Sequence, residues 1–222
     1  MSRPSPCPLC HYATLKPFAE DKRRHYMQCP CCHLVSVPPQ YHLSCCDEKA
    51  EYDKHDNHAA DAGYIRFLRR CWDPVFAWFQ ARGDNLTTIS GLDFGCGEGA
   101  VMSRIAAADG ITLANYDLYY HPESTLLQQQ YQLILMTEVI EHIADAAALV
   151  RQLDTMLLPD GLLAVMTKRV QDKNAFARWH YKNDPTHICF YAMTTFQWLA
   201  DELGWQLIPA GTDVVLLHKP KG

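Results

Sequence analysis

The feature that most constrains this chain is a glycine-rich stretch at residues 92–99, which reads LDFGCGEG. Glycines at alternate positions make a poor strand and a worse helix, but they suit a sharp turn from a strand into a helix. Because no Cβ stands in the way, such a turn approaches a ligand closely, and the following helix points its unpaired N–H groups at that ligand. The stretch therefore predicts a strand, a ligand-binding turn and a helix, in that order.

The spacing of the glycines separates this turn from a dinucleotide-binding loop, which reads G-x-G-x-x-G. Here the pattern is G-x-G-x-G, and Asp93 stands two residues before the first glycine. A carboxylate there would repel a pyrophosphate but would accept hydrogen bonds from a cationic or amino-acid-like ligand. The pattern resembles the first motif, D-x-G-x-G-x-G, of class I S-adenosylmethionine-dependent methyltransferases; a purely structural turn is the alternative. The resemblance implies a cofactor site formed by Asp93, Gly95, Cys96, Gly97 and Gly99.

Strand and helix signals alternate from residue 86 to residue 222, which predicts an α/β domain with a parallel sheet and crossover helices. The resemblance implies a Rossmann-like, seven-stranded methyltransferase sheet with strand order 3-2-1-4-5-7-6 and an antiparallel seventh strand. Residues 119–130 leave little room for the third strand. We therefore expect that unit to be shortened to a remnant around residues 125–127.

Polar residues follow the second and fourth predicted strands, on the side of the sheet where ligands bind. Asp117 follows the second strand, and an acidic side chain at that position can bind the ribose hydroxyls of the ligand. A turn-forming aspartate is the alternative. Thr137 and Glu138 follow the fourth strand, and we expect them to contact the cofactor as well.

The segment after the fourth strand carries the pattern E-x-x-E-H. It resembles a motif of ubiquinone-pathway O-methyltransferases and of the enzymes that 2′-O-methylate small-RNA 3′ ends. In the latter enzymes these residues and a later histidine hold a divalent cation. The resemblance implies a second metal site at Glu138, Glu141, His142 and His187, with mixed oxygen and nitrogen ligands. The alternative is that the segment closes the cofactor pocket without a metal.

The segment 167–187 is long, basic and aromatic, which predicts a substrate lid at the cofactor end of the sheet. Its last residues, DPTH, resemble the (D)-x-T-H-x-x-F segment of zinc-ribbon-bearing members of the superfamily. An imidazole there titrates in the range needed to deprotonate a nucleophile. His187 is the first candidate for the catalytic base, with His180 and Glu138 as further candidates. A structural histidine that anchors the lid is the alternative.

Two C-x-x-C pairs occur within residues 1–45, at a separation that is typical of four-thiolate zinc sites. Short strand signals at residues 25–28 and 34–37 complete the pattern of a zinc ribbon. So short a segment buries little core, so that a structural Zn²⁺ would replace the missing hydrophobic stabilisation. A redox pair or unligated thiols are the alternatives, and Cys31 and His33 are substitute ligands. The predicted ligands are Cys7, Cys10, Cys29 and Cys32.

Residues 46–85 predict a helical connector and lid, since the segment before the first strand often covers the cofactor in the methyltransferases that this chain resembles. Tyr52 and His55 are candidates for lining the pocket. Apolar residues at three- and four-residue spacing indicate a helix from residue 61. Pro74 after an aspartate predicts the start of a second helix that ends at Arg82.

The composition narrows the class of protein further. A formal net charge of −5 disfavours general affinity for nucleic acid. No apolar run is long enough to span a bilayer, and the start of the sequence lacks the apolar region of a signal peptide. Ten cysteines without an export signal indicate a reducing compartment. We therefore expect a cytoplasmic protein without membrane contact.

Together these patterns predict an S-adenosyl-L-methionine-dependent methyltransferase that acts on a small molecule. The first alternative is an RNA methyltransferase, because the N-terminal segment and segment 167–187 carry clustered lysine and arginine. The second alternative is a non-catalytic zinc-ribbon adaptor.

Overall fold

A computed structural model describes residues 5–54 and 62–221. Its strands are β1 (Lys16–Glu20), β2 (His25–Gln28), β3 (Val35–Ser36), β4 (Ser90–Phe94), β5 (Thr112–Tyr116), β6 (Tyr131–Thr137), β7 (Leu157–Met166), β8 (Cys189–Phe190), β9 (Gln206–Pro209) and β10 (Val214–His218). Its helices are α1 (Cys45–Tyr52), α2 (Ala62–Arg82), α3 (Val101–Ala108), α4 (Ala146–Met156), α5 (Lys173–Ala177) and α6 (Met193–Leu203).

The main sheet has six strands in the order β5-β4-β6-β7-β10-β9. Strands β4 to β7 run parallel, and β10 is antiparallel to both of its neighbours. This confirms the predicted Rossmann-like α/β fold and its antiparallel seventh strand.

The third of the seven predicted strands does not form in the described part of the chain. Residues Ser124–Gln128 form a 3-10 helix instead of the expected strand remnant, and β5 is the edge of the sheet. Only residues 117–130 connect β5 to β6, and a further parallel strand with its crossovers needs more chain than that.

Apolar residues cover both faces of the main sheet. Along β6, Leu133 and Leu135 face the layer of α2 and α3, whereas Ile134 and Met136 face the layer of α4 and α6. Successive side chains of a strand point to opposite faces, so that a strand buried on both faces is continuously apolar. The sheet therefore lies between two helical layers, with the carboxyl ends of its parallel strands at one edge.

The predicted helix boundary at Pro74 is wrong, because α2 continues from Ala62 to Arg82 with the proline inside it. An interior proline costs about 3 kcal/mol through a lost hydrogen bond and a steric clash. Burial of a single valine, leucine or phenylalanine side chain contributes about 1.5–3 kcal/mol. Leu68, Val75 and Phe79 are buried on both sides of the proline, so that the continuous apolar stripe outweighs the break.

A second, smaller sheet has the order β1-β2-β3-β8, and it joins the N-terminal segment to the C-terminal half of the chain. Its first three strands come from the N-terminal segment, whereas β8 lies in the C-terminal half, with Val35 opposite Phe190. The N–H of Ala147 also donates to the Pro8 carbonyl at 2.9 Å. The N-terminal strands therefore pack directly onto the main domain.

Within the described residues, no helix combines the length and the apolar character that a membrane crossing requires.

Candidate active site at the carboxyl ends of the parallel strands

A cavity of about 960 Å³ opens at the edge of the sheet where β4, β5 and β6 end. One side is formed by the glycine turn and by residues 116–120, and the floor by residues 137–139. Helix α1 and the first turns of α2 cover it, and residues 184–188 form the opposite wall. The position matches the ligand crevice of open α/β sheets.

The glycine turn depends on two backbone features that only glycine supplies without strain. Gly95 has φ +82°, and a Cβ built on it would lie 2.3 Å from a methyl group of Val139. Gly97 has φ +65°. The N–H groups of Gly95 and Cys96 both donate to the Tyr116 carbonyl, at 2.7 and 3.1 Å. The turn is therefore tied to the end of β5, and residues 93–97 and Gly99 line the cavity.

Asp93 is a buried carboxyl group without a partner. The residue is 1% exposed, and neither of its side-chain oxygens accepts a hydrogen bond. Burial, with a smaller contribution from the charge of Asp117, raises the pKa of Asp93 to about 7. Such a group is normally satisfied by a hydrogen-bond donor, so that a cationic or N–H-bearing ligand group fits beside it.

Asp117 accepts three main-chain hydrogen bonds. Its Oδ2 accepts from the N–H of Gly97 at 3.1 Å, and its Oδ1 accepts from Tyr119 and Tyr120 at 2.9 and 3.1 Å. The residue therefore shapes the turn after β5, and it also lines the cavity. Both interpretations of this aspartate are compatible with the structure.

Two carboxyl groups follow β6. Glu138 lines the cavity in a left-handed conformation, with φ +54°, and its N–H donates to the Met166 carbonyl at 2.8 Å. Glu141 is fully buried and accepts a hydrogen bond from the hydroxyl of Tyr181. One oxygen of each carboxyl group has no partner. Burial raises the pKa of both groups, and the charge of Glu141 adds to the rise for Glu138.

Two histidines meet at the wall formed by residues 184–188. The Nδ1 of His142 lies 3.2 Å from the Thr186 carbonyl, and the Nδ1 of His187 lies 2.8 Å from the Tyr181 carbonyl. Since a carbonyl only accepts, Nδ1 is the protonated nitrogen in both rings, and both Nε2 atoms remain acceptors. Burial lowers the pKa of His142, and it lowers that of His187 to about 4. Asp184 Oδ2 lies 3.7 Å from His187 Nε2.

Three of the four residues predicted for a second metal site come together. Glu141, His142 and His187 offer ligand atoms that all lie within 4.8 Å of one another. Glu138 is not part of this group. Two imidazoles whose Nδ1–H groups are held by carbonyls, with one carboxylate, form a donor set that suits a divalent transition metal.

The four predicted cysteine ligands also come together, with all sulfur atoms within 4.8 Å. The Sγ atoms of Cys7 and Cys32 are 3.5 Å apart, and those of Cys10 and Cys29 are 3.4 Å apart. Zinc with bonds of about 2.3 Å would separate tetrahedral sulfurs by about 3.8 Å. The geometry therefore fits four-thiolate zinc, and Cys31 does not belong to the group.

Other predicted site residues lie elsewhere. His180 is exposed, contacts Lys168 Nζ at 3.2 Å and does not line the cavity. Most of segment 167–187 packs on the small sheet, where Phe176 contacts Phe18, and only residues 184–187 reach the cavity. Tyr52 and Thr137 line the cavity as expected, whereas His55 lies outside the described residues.

Sequence reasoning missed the residues that hold α1 over the cavity. Glu48 accepts hydrogen bonds from the hydroxyls of Tyr52 at 3.1 Å and Tyr119 at 2.7 Å. Asp53 accepts one from Tyr120 at 2.7 Å. The contacts to Tyr119 and Tyr120 join residues about seventy positions apart, so that no local pattern indicates them.

The architecture and the cavity are those of a Rossmann-like ligand-binding enzyme domain. The family model for the methyltransferase domain matches residues 53–210, which is more than half of the chain. The chain therefore belongs to the class I S-adenosylmethionine-dependent methyltransferase family.

Two solved structures share the fold. Magnesium protoporphyrin IX methyltransferase from Synechocystis PCC 6803, with bound S-adenosylhomocysteine, aligns with a TM-score of 0.51 and 17% identity over 79% of this chain and 93% of that one. The 1,6-didemethyltoxoflavin-N1-methyltransferase of Burkholderia thailandensis aligns with a TM-score of 0.50 and 15% identity over 93% of this chain and 100% of that one. Comparison with curated protein sequences finds no match.

Proposed function

We propose that this protein transfers the methyl group of S-adenosylmethionine to a small-molecule acceptor. The observation that carries the proposal is the unpartnered carboxyl group of Asp93, buried beside the glycine turn in the cavity at the strand ends. In this proposal Asp93 and the turn hold the methionine end of the donor, and Asp117 holds its ribose. Thr137 and Glu138 close the pocket.

S-adenosylmethionine supplies an electrophilic methyl group, and the protein aligns the acceptor with it for in-line displacement. His187 Nε2 accepts the proton that the acceptor atom loses. The ring is neutral near pH 7 because burial lowers its pKa, and the Tyr181 carbonyl fixes the orientation of the ring through Nδ1. The carboxylate of Asp184, 3.7 Å away, stabilises the protonated ring.

A small acceptor is favoured over RNA because one cation of each basic segment is buried and used inside the protein. Arg24 is 6% exposed and binds main-chain carbonyls. Lys182 is also 6% exposed and pairs with Asp21 at 2.7 Å. Neither side chain is free to bind phosphate, which is the contact that dominates nucleic-acid affinity.

Calorimetry with S-adenosylmethionine tests the proposal. We expect binding to the intact protein, at least tenfold weaker binding to Asp93→Asn, and unchanged binding to the control Asp73→Asn, whose carboxylate is exposed on α2. Lack of binding by the intact, folded protein would leave the non-catalytic adaptor as the better explanation. If the acceptor found by screening binds with a steep dependence on salt, RNA becomes the better candidate.

We further propose that the four cysteines hold one Zn²⁺ ion with a structural role, because four thiolates leave no open coordination position. Metal analysis of gently purified protein should find about one zinc per chain. A value near zero in protein that retains its fold would contradict this proposal.

A second candidate for the catalytic wall is a divalent cation on Glu141, His142 and His187, which the spacing of the ligand atoms favours. In that case His187 Nε2 is a ligand instead of the base. Titration of the zinc-loaded protein with Mn²⁺, followed by electron paramagnetic resonance, separates the two roles. Binding that His142→Gln removes supports the metal, and absence of binding leaves His187 as the base.

A further inference from the structure

We infer that the methyl acceptor is a nitrogen base, an amine or a nitrogen heterocycle, that carries no phosphate or carboxylate group in the cavity. The acceptor lies in the part of the cavity between α1 and residues 184–188. This inference rests on the proposed methyl transfer and names the class of acceptor for the same site.

The charge of the cavity is the first observation. Seven carboxyl side chains line it, and no lysine or arginine among the described residues does. The undescribed residues 55–61 carry neither residue type in their sequence. Asp93 and Asp117 lie at the cofactor end, and Asp53 pairs with Lys49 at 2.7 Å. Within the described parts of the chain, Glu48, Glu138 and Asp184 form no ion pair with a lysine or arginine. The charge of Lys168 acts on Glu138 from outside the cavity lining.

The second observation is an aromatic wall in the same region. The ring of Tyr52 lies 5.3 Å from that of His142 and 5.7 Å from that of Tyr119. The rings of His142 and His187 are 4.7 Å apart. Both tyrosine hydroxyls donate to Glu48, so that a carboxylate lies beside these electron-rich rings. Aromatic faces with a carboxylate nearby favour a cationic or planar nitrogenous group.

An anionic acceptor would meet the opposite situation. Its charge would lose its hydration and would be repelled by the carboxylates, and no lysine or arginine of the described chain lines the cavity to pair with it. Both effects weaken binding. A neutral or protonated nitrogen base is not repelled in this way, and it can donate N–H bonds to Glu48, Glu138 or Asp184. The charge of the cavity therefore selects against phosphate and carboxylate.

The reaction balances with these residues. The lone pair of the acceptor nitrogen forms the new N–CH₃ bond, while the S–CH₃ bond breaks and its electrons remain on sulfur. An acceptor that binds in protonated form first gives its proton to His187 Nε2, the free acceptor atom of that ring, which restores the lone pair. A neutral amine loses an N–H proton to the same atom, and a ring nitrogen without an N–H keeps the transferred positive charge in the product. No oxidant or further reactant is needed.

The test begins with calorimetric binding of S-adenosylhomocysteine, whose absence would count against the proposed function itself. The protein with bound S-adenosylhomocysteine is then titrated by ligand-observed NMR with benzylamine, benzyl alcohol and benzoate. These three probes share a phenyl ring and differ only in the polar group. We expect benzylamine to bind at least tenfold more tightly than benzoate, with benzyl alcohol between them.

Variants then test whether residues of the cavity cause the preference for benzylamine over benzoate. Glu48→Gln removes the charge and keeps an acceptor oxygen for one of the two tyrosine hydroxyls. It should reduce the ratio of the benzylamine affinity to the benzoate affinity at least threefold. The control variant Glu20→Gln, on an exposed position of β1, should leave the ratio of the two affinities unchanged. The inference is overturned if benzoate or benzyl alcohol binds as tightly as benzylamine, or if none of the probes binds to protein that binds S-adenosylhomocysteine.

Discussion

The guanidinium group of Arg24 donates a hydrogen bond of 2.6 Å to the main-chain carbonyl of Asp184. It also donates to the carbonyls of Lys182 and Pro185. Arg24 precedes β2 of the small sheet, whereas residues 182–185 lead directly to His187 at the cavity. The N-terminal segment therefore positions the wall of the candidate active site.

Replacement of Arg24 by alanine should loosen that wall. Hydrogen bonds to a charged group contribute about 1.5–3 kcal/mol each, and three buried or half-buried carbonyls would lose their donor. We expect faster hydrogen exchange in peptides that cover residues 182–188, with affinity for S-adenosylhomocysteine changed less than about threefold, because Arg24 does not line the cavity. Lys22→Ala, an exposed neighbour, is the matched control. Unchanged exchange in the Arg24 variant would show that the contact is not needed.

Gly95→Ala should destroy the cofactor turn for two separable reasons. The left-handed conformation costs about 1–2 kcal/mol for a residue with a Cβ, and that Cβ would clash with Val139 at 2.3 Å. Gly110→Ala is the control, since its φ is +89° but nothing lies within 4 Å of the added atom. We expect both variants to lose stability in urea and only Gly95→Ala to lose binding of S-adenosylmethionine. Val139→Ala in the Gly95→Ala background should restore part of that binding, and failure to do so would rule out the clash.

Asp93→Asn should stabilise the free protein at high pH. Burial raises the folded-state pKa of Asp93 to about 7 from an ordinary value of 3.8. The contribution of the carboxyl group is therefore fully present below about pH 4 and is lost as the pH rises through about 7, where the buried group must ionise without a partner. A shift of this size corresponds to about 4 kcal/mol. Urea unfolding should show a larger gain in the free energy of unfolding of the variant over the parent protein at pH 8 than at pH 5, because at pH 5 only part of the carboxyl contribution has been lost. An equal gain at both pH values would contradict the assignment.

Cys32→Ser should remove zinc and lower the melting temperature, because Cys32 is buried in the four-sulfur cluster. Cys31→Ser changes the adjacent residue, which is exposed and outside the cluster. Metal analysis and thermal unfolding of the two variants form a matched pair. If both variants retain one zinc per chain, the cluster is not the site that binds it.

The order of strands was predictable from the resemblance to the methyltransferase family. The glycine turn and the acidic residues at the strand ends were predictable because each rests on a short local pattern. The same holds for the two cysteine pairs. Pro74 misled the prediction of α2 because a local rule for proline does not include the burial of Val75 and Phe79 on the far side of it. Where a remnant of the third strand was expected, the chain forms a 3-10 helix, because the connection between β5 and β6 is too short for a further strand.

The sequence by itself determined the glycine turn and the acidic residues at the strand ends, since glycine conformation and strand periodicity act within a few residues. Only the tertiary structure decided how the opposite wall is built. The pairing of β3 with β8, the contact of Arg24 with Asp184, and the contact of Glu48 with Tyr119 each join distant segments. Such contacts depend on where the chain returns in space, and the burial of the whole core fixes that path.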